Sequence, residues 1–120
     1  MADKKEVQQF LDGLHAKIGV FGVAFENREK NIQALLDLEI TGTERLEYVK
    51  KLKVENYFAG PTKDTNDTSR PDYWEFGMMI KGKEVYIKIN MGHAGKRVIC
   101  ISFHIAEREI HYCFNKEERG

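Results

Sequence analysis

Apolar residues recur at steps of three and four in the first half of the chain and at steps of two in the second. Val7, Phe10, Leu11, Leu14 and Ile18 form a stripe along one helical face. Asp3 precedes that stripe as a cap for free amides, and Gly19 is the expected stop. A second stripe, Ile32, Leu35 and Leu36, follows Asn27 and Asn31, either of which can cap it. Thr41-Gly42-Thr43-Glu44 fits a capping box, after which Leu46, Val49 and Leu52 share a face. The first half therefore predicts two to three helices.

Gly60-Pro61 breaks this pattern, and a polar loop is expected from 61 to 72. Its length marks it as either mobile or functional. From Tyr73 the period is two. Trp74, Phe76, Met78 and Ile80 share one face of a strand, Val85, Ile87, Ile89 and Met91 that of the next, and Ile99, Ile101, Phe103 and Ile105 that of a third. A last strand is expected through Ile110, Tyr112 and Phe114, and a frayed tail at 115–120. Gly82-Lys83 as a two-residue turn would pair Ile80 with Val85, Met78 with Ile87 and Phe76 with Ile89. The predicted fold is a single α+β domain over residues 1–120. Its N-terminal helices pack on one face of an antiparallel β-meander of four or so strands.

Composition narrows the class. The chain has 120 residues, 42% hydrophobic and 32% charged, enough to build one core. Nineteen basic residues balance nineteen acidic ones, so net charge advertises no partner. No apolar run approaches the ~20 residues that span a bilayer, and the start lacks a secretory signal. No membrane partner is expected. Cys100 and Cys113 sit in apolar segments without metal-type spacing, as suits free thiols in a reducing cytoplasm.

The strand faces turned from the helices carry the candidate chemistry. Glu75 stands on the first, Tyr86 and Lys88 on the second, Ser102 and His104 on the third. In the expected register Lys88 pairs with Gly77, diagonal to Glu75. If Tyr86 pairs with Ser102, His104 falls opposite Glu84. A carboxylate, a phenol, an ammonium and an imidazole on one patch are the groups that acid–base chemistry at a phosphodiester requires. The plainer alternative is a solvated sheet face with a surface ion pair worth under ~1 kcal/mol. Between Phe76 and Ile105 five basic residues, Lys81, Lys83, Lys88, Lys96 and Arg97, face Glu84 alone, a local net charge of +4. Such an edge suits a phosphate backbone, although lysines also guard exposed strand edges. His93, His104, His111 and Cys113 lack zinc spacing, and Gly92-His93-Ala94-Gly95 lacks the following helix of a phosphate loop. No cofactor is called for.

The stretch from Trp74 to His104 resembles the MqsR-type toxins of bacterial toxin–antitoxin pairs. The matching pieces are Val85-Tyr86-Ile87-Lys88-Ile89 and Val98-Ile99-Cys100-Ile101-Ser102-Phe103-His104. The resemblance implies a RelE-like fold and a metal-independent endoribonuclease that cuts messenger RNA by 2′-hydroxyl attack. It further implies a cognate antitoxin carrying a DNA-binding helix-turn-helix. Tyr86 and Lys88 map onto the family's strand tyrosine and lysine. His104 replaces an expected lysine, Glu75 an expected glutamine, and the neighbourhood of Phe58 lacks an expected cation. Two other classes stay open: a non-catalytic RNA- or protein-binding module, and an α+β enzyme whose site lies in the Pro61–Asp72 loop.

Overall fold

The computed structural model describes residues 1–114; the tail expected to fray, 115–120, lies outside the described residues. Three helices, α1 (Lys4–Phe21), α2 (Glu29–Leu38) and α3 (Gly42–Lys50), pack with a mixed sheet of five strands. The strands are β1 (Val23–Phe25), β2 (Tyr57–Thr62), β3 (Tyr73–Ile80), β4 (Lys83–Asn90) and β5 (Val98–Ile105), in the order β1-β5-β4-β3-β2. The α+β class is as expected. The meander is β3-β4-β5, and it gains an antiparallel edge from β2 and a parallel one from β1.

Asp3 and Glu6 form a reciprocal capping box at the start of α1, and all five stripe residues are buried. The helix runs past Gly19 and ends at Gly22, whose φ of 80° is left-handed. Thr41 and Glu44 form the box expected for α3. For α2 the expected face is wrong. Ile32 and Leu36 are exposed, while Asn31, Ala34 and Leu38 face inward, and neither Asn27 nor Asn31 caps the helix.

Asn31 has a different task. Its amide nitrogen donates to the carbonyls of Ile101 (2.9 Å) and Glu26 (3.0 Å), and its oxygen accepts from the Phe103 amide (3.0 Å). It thereby continues the β1–β5 ladder where β1 stops, because a buried backbone edge without partners is costly. The bonds sit at a β-bulge. Lys88 pairs with Ser102 but Ile89 with Cys100, leaving Ile101 as the extra residue. Strict alternation along β5 therefore fails: Cys100 and Phe103 join the core, and Ile99 turns to the other face.

The β3–β4 turn is Lys81-Gly82 rather than Gly82-Lys83. Both residues are left-handed (φ 51° and 81°), as a two-residue hairpin of matching twist demands. Ile80 pairs with Lys83, Met78 with Val85, Phe76 with Ile87 and Trp74 with Ile89. The expected register is thus displaced by two residues. A displacement of two preserves face parity, so the core side is unchanged. Phe10 of α1 stacks on Trp74 at 4.3 Å between ring centroids, and Phe76, Ile87 and Phe103 are fully buried beneath the helices. Gly60-Pro61 lies inside β2, an edge strand where a missing amide is tolerated.

Candidate active site

The outer sheet face is covered at both ends. Near the β4–β5 turn, loop 63–72 is folded on itself by Asp64, which accepts from the amides of Asn66 and Asp67. Arg70 of that loop reaches Glu26, just beyond β1, at 2.6 Å and also meets Asp67 at 3.4 Å. The loop thus links opposite edges of the sheet. Ser102 and Asn90, on the outer face by parity, are buried. At the other end, the segment after β5 forms a strap rather than the last strand expected through Ile110 to Phe114. Glu84 holds it, accepting from the Ile110 amide at 3.3 Å and the Tyr112 hydroxyl at 2.9 Å, while its backbone oxygen accepts from Ala106 at 2.8 Å. Gly77 makes room beneath: a Cβ there would lie 2.5 Å from Ile110 Cδ1 and 2.7 Å from the Tyr112 oxygen.

Between loop and strap opens a cleft of about 400 Å³. Glu75, Tyr86 and His104 form its floor, Phe58 one wall, and the strap from Ala106 to Ile110 the other. Three of the four residues assigned to catalysis from sequence therefore meet here, and the true register brings them closer than the expected one. Tyr86 pairs with His104 instead of Ser102, with ring centroids 5.4 Å apart. Glu75 pairs with Lys88 instead of lying diagonal to it. Glu75 Oε2 accepts a 2.8 Å hydrogen bond from the Tyr86 hydroxyl.

These contacts set protonation. Burial, reinforced by the bond to the Glu75 carboxylate, pushes the Tyr86 phenol far above its ordinary value, with the charge of Arg28 pulling weakly the other way. Tyr86 is thus a donor, not an anion, at physiological pH. His104 Nδ1 lies 3.0 Å from the Ile105 carbonyl oxygen. A carbonyl only accepts, so Nδ1 carries a proton and Nε2 is the nitrogen left for exchange with a substrate.

The remaining assigned residues are dispersed. The Lys88 ammonium sits 4.4 Å over the Tyr73 ring, beside the cleft rather than in its lining. Lys81 and Lys83 donate to the carbonyls of Glu39 and Asp37 at the end of α2, where cations complement exposed carbonyls. Lys96 and Arg97 border a separate hollow with Phe21, Ala24 and Ile99. The continuous basic edge read from sequence is therefore two separate pairs, flanking opposite ends of β4. Sequence reasoning missed Phe58, Arg28 and Arg108, all at or near the cleft. Only the topology brings them there. Cys100 is buried, and burial pushes its thiol up to about 12. Among the described residues, no three His, Cys, Asp or Glu side chains are grouped to hold a metal ion, and no helix is long and apolar enough to cross a membrane. The chain matches no protein-family model, no curated protein and no solved structure.

Proposed function

We propose that this chain is the toxin of a toxin–antitoxin pair, a cytoplasmic endoribonuclease that cleaves messenger RNA without a metal. The observation that carries the reading is the convergence of Glu75, Tyr86 and His104 on one cleft, with Tyr86 between the other two. In-line attack of a 2′-hydroxyl on the adjacent phosphorus needs a base on the attacking side and an acid on the leaving side. Glu75 is the base: Tyr86 occupies its Oε2, and its Oε1 takes the 2′-hydroxyl proton. His104 is the acid: in its protonated form it gives the Nε2 proton to the departing 5′-oxygen. The products are a 2′,3′-cyclic phosphate and a 5′-hydroxyl. Tyr86, kept neutral, uses its one hydroxyl proton to hold Glu75 in place, and Lys88 and Arg28 supply positive charge near the phosphorane. The resemblance from Trp74 to His104 supports the same reading and adds a restraining antitoxin with a DNA-binding helix-turn-helix.

The test is induced expression with mapping of RNA ends. Growth arrest, and fragments ending in 2′,3′-cyclic phosphate, are expected from the wild-type protein and not from His104→Ala. Arrest by both proteins without cleaved transcripts would favour a binding module. Harmless wild-type expression would remove the toxin assignment. Co-expression with the neighbouring open reading frame should yield a purified complex.

A further inference from the structure

We infer that Phe58 and the strap from Ala106 to Ile110 form a slot for a single nucleobase beside the reacting phosphate, and so decide which nucleotide is cut. This deepens the ribonuclease reading and rests on it. Several features point to a flat, uncharged occupant. The Phe58 ring lies 6.0 Å from that of Tyr86, tilted by 53°, and so leads out of the acid–base group along the cleft wall. Facing it across the cleft, Ala106 and Ile110 are the apolar residues of the strap. Of the acidic side chains between them, Glu107 pairs with Lys30 at 2.7 Å and Glu109 is exposed to solvent. Arg108 is the one cation of that wall and is exposed, whereas Phe58, Ala106 and Ile110 give the cleft apolar surface, and His104 lies beyond Tyr86. At about 400 Å³ the cleft falls near the lower end of pockets that enclose small ligands, and has room for a base and its sugar. Aromatic rings hold unpaired bases by stacking, and the strap's fixed backbone, pinned by Glu84, supplies an edge that a base can be read against.

The experiment uses a short 2′-O-methyl RNA, which cannot be cleaved, and measures binding by fluorescence anisotropy, alongside cleavage of the unmodified strand. Phe58→Ala should weaken binding and raise KM by about ten- to a hundredfold with a much smaller change in kcat, and Phe58→Tyr should restore both. With wild-type protein, an abasic nucleotide moved along the strand should weaken binding by a similar factor at one position next to the cleavage site. This second measurement does not depend on any variant folding. Active wild-type protein whose KM and binding ignore both Phe58 and the abasic position would overturn the slot and leave the ribonuclease reading intact. Phe58-dependent, position-dependent binding by a protein that never cleaves would uphold the slot and overturn the reaction.

Discussion

Replacing Asn31 tests whether the placement of His104 depends on one buried amide. Asn31→Ala removes three hydrogen bonds, two of them, to Ile101 and Phe103, fully enclosed. Each enclosed group left without a partner costs ~1–3 kcal/mol, so the loss for two should be about 2–6 kcal/mol, a large part of the ~5–15 kcal/mol that holds a typical domain. For a chain of this length, ~4 °C of melting temperature accompanies each kcal/mol, giving a fall of roughly 8–24 °C. Asn31→Asp sharpens the test. One oxygen can still accept from the Phe103 amide, but the other now faces the carbonyls of Ile101 and Glu26. Ionised, it is repelled; protonated, it donates as the amide did. The folded state therefore raises the pKa of the introduced carboxyl above its unfolded value of about 3.9. Native protein then holds the proton more tightly, so stability is fullest below about pH 4 and falls as pH rises through the folded-state value. Thermal melts of the three proteins at pH 5 and pH 7.5 should show the Asn31→Asp deficit widening at the higher pH, and the Asn31→Ala deficit nearly constant. An Asn31→Ala melting point within ~2 °C of wild type would show that the bulge is held by something else.

Other consequences are simpler to check. His104→Ala should lower the RNA cleavage rate by ~10²–10⁴ while leaving the melting temperature nearly unchanged, and Glu75→Gln should do the same; full activity of either variant contradicts its assigned role. Tyr86→Phe should lose less than His104→Ala, because the ring remains beside Phe58 and His104, and comparable losses would make the hydroxyl an obligatory proton carrier. Gly77→Ala should cost ~1–3 kcal/mol in urea unfolding by crowding Ile110 and Tyr112, and an unperturbed melt would mean that the strap yields freely. Burial raises the phenol pKa of Tyr57, Tyr73, Tyr86 and Tyr112. The stability they contribute is complete below about pH 10 and declines above it, so phenolate absorbance in an alkaline titration should rise together with unfolding.

The outer-face chemistry was legible because it depends only on parity. A hairpin displaced by two residues still turns Glu75, Tyr86 and Lys88 the same way, so the mistaken turn cost the register but not the face. A left-handed Lys81 is what the sequence did not announce, since lysine seldom adopts that conformation. Along β5 parity failed before Ser102, because a bulge stabilised by a side chain from α2 leaves no local trace in the spacing of Ile99 and Ile101. The same contact explains the misread face of α2. Asn31 is polar, and a pattern that counts apolar positions assigns it to solvent, although it is 1% exposed. β1 spans three residues, too few for a period to register, and β2 contains a proline that read as a break. The alternation of Ile110, Tyr112 and Phe114 predicts a strand where the structure has the strap. These residues alternate while crossing the sheet: Ile110 sits above Gly77, the Cys113 amide donates to the Tyr57 carbonyl, and Phe114 stacks on the Tyr57 ring.

The strap comes from outside the strand ladder, whereas the floor of the cleft lies on the three central strands. Those two parts of the chain are therefore subject to different rules of change. Tyr86 and His104 are fixed in place by the pairing of β4 with β5 and carry the proposed chemistry, so selection has little freedom there. Residues 107–109 of the strap are exposed and take no part in the sheet, so they can be exchanged at small cost to folding. A lineage built on this architecture can alter what its cleft accepts while the reaction stays fixed. Diversity among its members should gather in the few positions after β5, and a library randomised only at Glu107, Arg108 and Glu109 should yield folded proteins of differing preference.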